Sequence, residues 1–260
     1  MQKTIILSLF VLLFVPAYSS DLPTIIVDSS TAVQPFEHSL IDTFSSKKKR
    51  PKLLKQSIVP LSLAATGLTM MAIPNLKQDI QSAMNWNQSE DIFMMDDELR
   101  FLPTATMALM SVFQANGKHK LWEQLVLSGS TYILSDLFVY RLKTATKIRR
   151  PYPHVENESF PSQHAAMAFL AASMLQKEFG DRYPLVGIGG YVVAGWVGYA
   201  RVARNRHFVP DVLVGASIGM LSANLTYWLY ETLQERFKKP VQIQSSIGKD
   251  AFEIRFLCTL

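Results

Sequence analysis

The chain has 260 residues, 48% apolar and 18% charged, with a formal net charge of +5. Its mean hydropathy of +0.12 is high for an ordinary soluble domain and low for a chain built mostly of membrane spans. A single cysteine, Cys258, excludes an intrachain disulfide and a cysteine-held zinc or iron–sulfur centre.

Residues 1–20 read as a secretory signal. Gln2-Lys3 supplies the positive start, Ile5 to Val15 the apolar run, and Ala17 to Ser20 small residues for cleavage. Residues 21–56 read as a lead-in ending in a basic run, Lys47-Lys48-Lys49-Arg50 with Lys52 and Lys55. Such a block suits a solvated face or anionic lipid head groups. No aromatic platform accompanies it, so nucleic acid is not the expected partner.

Residues 57–237 are expected to form one all-α domain, a bundle of about six apolar helices at 57–73, 101–116, 121–143, 164–179, 184–203 and 209–237. Between the first two, Pro74 to Arg100 is polar and reads as a loop with a short helix. Its Asp96-Asp97-Glu98 cluster is read as solvated acid rather than a metal site. Asp136, inside the third helix, is expected to face the protein interior. Residues 238–260 form an appendage. Val241–Ile247 and Ala251–Leu257 alternate in polarity around Gly248-Lys249-Asp250, a hairpin pattern.

The apolar cores of these helices mostly fall short of the about 20 residues a span requires. A cleaved signal places residue 21 outside the cytoplasm, whereas the lysine run ahead of the first helix argues for the cytoplasmic side. Both conflicts vanish for an exported helical bundle resting on or partly in a membrane, which is the expected form. A six-span membrane protein is the alternative.

Three segments carry chemistry: Lys143-Thr-Ala-Thr-Lys-Ile-Arg-Arg150-Pro151, Phe160-Pro161-Ser162-Gln163-His164, and Arg201-Val-Ala-Arg-Asn-Arg-His207-Phe-Val-Pro-Asp211. Lys143 and Arg201 close apolar helices, His164 opens one, and Asp211 lies in the first turn of the last, where Pro210 is tolerated. An up-and-down bundle can gather such ends on one side. A helix N-terminus offers free N–H groups to an anion, and Ser162 adds a hydroxyl. A neutral imidazole can attack phosphorus while a protonated one donates to the leaving oxygen. Asp211 can accept from the ring N–H of His207, and arginine forks suit phosphoryl oxygens. No metal or cofactor is needed.

These segments resemble the signature of the type-2 phosphatidic acid phosphatase and vanadium haloperoxidase superfamily: Lys-x6-Arg-Pro, Pro-Ser-Gly-His, then Ser-Arg-x5-His-x3-Asp. The resemblance covers roughly residues 100–232. It implies that Lys143, Arg150, Ser162, Gln163 and Arg201 bind phosphate, His164 protonates the leaving group, His207 forms a phosphohistidine and Asp211 orients it. Two positions depart from the pattern. Gln163 replaces Gly, putting a side chain where phosphate approaches and removing glycine's freedom; Ala200 replaces Ser. The expected activity is metal-independent hydrolysis of a phosphomonoester or pyrophosphate on a lipid, at the membrane surface or in the bilayer, in a bacterial periplasm. A soluble broad-specificity acid phosphatase and a membrane scaffold with a relic site are the alternatives. His154, between the first two motifs, is read as a solvated loop residue.

Overall fold

The computed structural model describes residues 53–83, 96–113, 115, 117–151, 157–237, 242–247 and 252–257. The signal-like residues 1–20, the run from Lys47 to Lys52, His154 and Cys258 lie outside the described residues. By contacts the chain divides into Met1–Lys55 and Gln56–Leu260, and the site lies in the second unit.

The described helices are α1 Leu53–Ala72, α2 Leu76–Ala83, α3 Asp96–Leu99, α4 Leu102–Val112, α5 Leu121–Thr146, α6 Gln163–Phe179, α7 Pro184–Ala203 and α8 Val209–Phe237. The all-α expectation holds, and the six long helices lie where the apolar periodicity puts them. α1 starts earlier than expected, so Pro60 lies in its interior rather than in its first turn. Among the described residues, the polar 74–100 stretch contributes two short helices, α2 and α3. Strands β1 Gln242–Ile247 and β2 Phe252–Leu257 pair antiparallel, Gln242 opposite Leu257 and Ile247 opposite Phe252.

α6 is the central element. Ala165, Ala166, Ala168, Leu170, Ala171, Ala172 and Met174 are fully buried, as expected of a helix apolar all round. Its small side chains let α7 and α8 pack closely. The α6–α8 crossing depends on two glycines. A Cβ on Gly215 would lie 2.3 Å from the Ser162 carbonyl oxygen, and one on Gly219 would lie 2.1 Å from that of Ala166. This contact brings the second and third motifs together.

The outward faces are unusual for a soluble bundle. α7 turns Gly187, Gly190, Ala194 and Val197 inward and leaves Leu185, Ile188, Val192 and Trp196 exposed. α5 buries Leu127, Thr131, Ser135 and Val139, spaced by four, and exposes Leu125, Ile133, Leu137 and Phe138. Large apolar residues outside and small ones inside are the arrangement of helices packed within lipid. By length and composition α7 and most of α8 can cross a membrane, and α1 with α2 qualifies only as a pair bent by 101°. Asp136 does not face the interior; it is exposed on α5.

Candidate active site

Backbone and side-chain hydrogen bonds stitch the three motifs together. The first motif leaves α5 at Lys147, which adopts left-handed geometry at φ 48° and donates its N–H to the Lys143 carbonyl at 3.0 Å. One residue on, the Ile148 carbonyl accepts the Ser159 N–H at 2.9 Å. The Lys143 ammonium bonds the Glu158 carbonyl. The Ser162 N–H then donates to the Asp211 carbonyl at 2.9 Å, joining the second motif to the third. Ser162 is the N-cap of α6, its hydroxyl accepting from the Ala165 N–H at 3.4 Å; short polar side chains are favoured there. This leaves the hydroxyl proton free to donate elsewhere.

The third motif curls at the end of α7. The Arg201 carbonyl accepts from the N–H groups of Arg206 at 3.0 Å and His207 at 3.2 Å, with Asn205 left-handed at φ 55°. α2 covers this curl. Gln81, nearly buried, donates to the Val202 carbonyl at 3.0 Å and bonds Asn205, and the Lys77 ammonium sits 5.1 Å from the centre of the Phe208 ring.

His207 and Asp211 are both buried. The His207 Nδ1–H donates to the Ser159 carbonyl at 2.8 Å, while Asp211 Oδ2 stands 3.7 Å from the same nitrogen. Asp211 therefore does not take the ring N–H as a direct acceptor. Its Oδ2 instead accepts from the Phe208 N–H at 2.9 Å and from the Ser159 hydroxyl. The Ser159 carbonyl thus fixes the tautomer, with Nδ1 protonated and Nε2 bare, and the carboxylate supplies negative charge one step away. Burial pushes the His207 pKa below the ordinary histidine range; Lys143 and Arg150 add to this and Asp211 opposes it. These effects together favour the neutral ring. The Nε of Arg150 and Oδ1 of Asp211 are buried without a hydrogen-bond partner among the described residues.

His164, at the start of α6, meets two residues outside the motifs. Its Nε2 is 2.6 Å from Asp97 Oδ1 and 2.7 Å from Arg100 Nη1. The first contact needs an Nε2–H, the second a bare Nε2. Asp97 Oδ1 also accepts from Arg201 Nη2 at 2.6 Å. Burial, then Arg201 and Arg100, push the His164 pKa down to about 3 against the opposing Asp97 carboxylate. Burial raises the Asp97 pKa, but Arg201 and His164 outweigh it and the net shift is downward. Asp97 is thus engaged with the site, not solvated alone as its acidic run implied.

Gln163 turns away from this cluster. Its Nε2 donates to Asp136 Oδ1 at 2.7 Å, and the pair lines a cavity of about 280 Å³ between α5 and α6 with Ile133, Val139 and Met167. The side chain expected to crowd the phosphate is tied to α5 instead. Ala200 is fully buried. Asp97, Arg100 and Ser159 were not legible as site residues, because nothing in their spacing separates them from ordinary loop residues. Among the described residues no group of three or more His, Cys, Asp or Glu is placed to hold a metal.

Residues 124–235, spanning all three motifs, match the model of the PAP2 superfamily. The chain is 32% identical over 156 residues to a lipid A 1-phosphatase of Porphyromonas gingivalis, covering 60% of this chain and 34% of that one, so it spans about a third of this relative's length. Similar solved structures are LpxE of Aquifex aeolicus and a PAP2-type phosphatidylglycerolphosphate phosphatase of Bacillus subtilis. The first has TM-score 0.46 and 21% identity over 58% of this chain and 94% of that one. The second has TM-score 0.48 and 24% identity over 72% and 98%. With the motifs in order and the family match lying across them, residues 124–235 of this chain are similar to the PAP2 superfamily.

Proposed function

We propose that this protein hydrolyses a phosphate monoester on a lipid, without a metal, through a phosphohistidine. The observation that carries the reading is the His207 environment: a buried neutral ring with Nδ1–H on the Ser159 carbonyl, Nε2 bare, and basic groups of the first motif close enough to depress its pKa. In the first step the Nε2 lone pair attacks phosphorus, the bond from phosphorus to the leaving oxygen breaks, and His164 gives that oxygen a proton. In the second, His164 takes a proton from water, the water oxygen attacks phosphorus and the phosphorus–nitrogen bond breaks, releasing inorganic phosphate and free His207. Lys143, Arg150 and Arg201 hold the phosphoryl oxygens, with Ser162 and the α6 N-terminus as further donors. Asp211 offsets the positive charge that builds on His207 after attack.

His164 must be protonated in the first step, yet burial, with Arg201 and Arg100, pushes its pKa down to about 3. A bound phosphate dianion reverses the local field and favours the charged imidazolium. The acid is thereby armed by its substrate.

A lipid substrate is supported by the apolar outer faces of α5 and α7 and by the P. gingivalis relative, whose name is that of a lipid A phosphatase. The same faces disfavour a freely soluble acid phosphatase. Export to the periplasm rests on the signal-like residues 1–20.

The test is phosphate release from lipid and water-soluble phosphate esters in detergent with EDTA present. The parent is expected to release phosphate from a lipid ester, and His207→Ala to lose activity by about 1,000-fold or more. Equal release by the two proteins would remove His207 as nucleophile, and loss of parent activity with EDTA would favour a metal mechanism.

A further inference from the structure

The cations that would receive phosphate are already engaged by an anion of the chain itself. One oxygen of Asp97 lies 2.6 Å from both Arg201 Nη2 and His164 Nε2, joining the last helical turn of α7 to the first turn of α6. A group in that position meets one residue assigned to the phosphate and one assigned to the leaving oxygen. A carboxylate there has the charge sign and donor demand of a phosphoryl oxygen. It comes from outside the three motifs, on the four-residue helix α3, and its side chain is 53% exposed while that of Arg201 is 7% exposed. The buried partner is fixed and the exposed one can leave for water.

We propose that Asp97 is an internal competitor for the phosphate site, bound to Arg201 and His164 when substrate is absent and displaced by the incoming phosphate group. This rests on the reading of Arg201 as a phosphate ligand. Displacement is favoured because a phosphate dianion carries more charge and more acceptor oxygens than a carboxylate. An exposed carboxylate bound to a buried arginine is readily lost to solvent, since screening weakens it. Arg100, one helical turn after Asp97 and 2.7 Å from His164 Nε2, remains beside the vacated position. The consequence is selectivity: apparent affinity is multiplied by the fraction of molecules whose site is open, a uniform loss that a substrate anchored elsewhere by its lipid tolerates and a weakly held anion does not.

The experiment measures binding and turnover separately on the full chain in detergent. Binding of inorganic phosphate is read by thermal shift and by inhibition, in the parent, Asp97→Ala, Asp97→Asn and Glu98→Ala. Glu98 is the adjacent exposed acid and controls for net charge. Asp97→Ala is expected to tighten inorganic phosphate by about 3- to 10-fold and to lower KM. Asp97→Asn is expected to fall between, and serves alone should the alanine variant fail to fold. Unchanged phosphate affinity in the Asp97 variants would overturn the proposal, as would an equal gain in Glu98→Ala. A fall in kcat at constant KM would overturn it too, making Asp97 a residue that positions His164. Phosphate binding does not require turnover, so a parent that binds phosphate without hydrolysing esters would sink the phosphatase reading and leave this one standing. No phosphate-induced shift in any of the proteins would overturn the competitor.

Discussion

The two histidines are tuned by different surroundings. His207 is buried, its Nδ1–H committed to the Ser159 carbonyl, and burial, aided by the basic groups of the first motif, lowers its pKa. His164 is more open and caught between Asp97 and two arginines, with a pKa pushed down to about 3 by burial and then by the arginines. Arg100 is one cause of that depression. Removing a neighbouring positive charge favours the imidazolium, so Arg100→Gln must raise the His164 pKa. The proposed general acid then stays protonated to higher pH, and the alkaline limb of the kcat/KM profile, which reports free enzyme, moves upward. A pH–rate series on the parent and Arg100→Gln checks this; a downward move would contradict the role given to His164. The Gln163–Asp136 bond shows how the departure from Gly is accommodated. The longer side chain is held against α5 by a charge-assisted bond at 2.7 Å, leaving the α6 N-terminus uncovered by it.

Helix contacts decide whether these residues meet. α6 supplies His164 and α8 supplies Asp211, and their approach is set by Gly215 and Gly219, where an added methyl would meet a backbone oxygen. A backbone atom cannot step aside as a flexible side chain can. Gly215→Ala is therefore expected to destabilise the fold by about 1–3 kcal/mol and to lower activity by straining the bond from the Ser162 N–H to the Asp211 carbonyl. Gly195, on the open face of α7, has nothing within 4 Å of an added Cβ. Gly195→Ala is expected to be neutral or stabilising, up to about 1 kcal/mol, from helix propensity. Thermal unfolding of both variants in detergent separates the cases, and equal destabilisation would show that the crossing is not the constraint.

At the scale of the molecule the telling feature is where the large apolar residues lie. Leu185 is 82% exposed and Val192 67%, while glycine, alanine and Val197 fill the packed side of the same helix. Exposed apolar surface of this extent is abnormal in a soluble monomer and normal where lipid replaces water. The expected outcome is that the full chain stays with the membrane pellet after an alkaline carbonate wash and needs detergent for release. Recovery in the wash would contradict immersion of α7 and α8 and would return the soluble-phosphatase alternative to first place.

The sequence alone determined the helices and the order of the motifs. Apolar periodicity, Pro184 and Pro210 in first helical turns and the polar stretch after Pro74 are local signals, and they placed the six long helices closely. The residue types in the three motifs made phosphate chemistry the expectation by themselves, since a lysine, arginines and two histidines can serve as anion ligands and proton carriers. Only the tertiary structure decided the partners. It made the Ser159 carbonyl, not Asp211, the acceptor for His207, and it brought Asp97 and Arg100 from a polar loop to His164. It also turned Gln163 toward Asp136 and left Asp136 exposed. Each of these is a pairing between residues 27 to 67 positions apart. Such pairings follow from how α5, α6, α7 and α8 cross and from where the loops can reach, which no local pattern encodes.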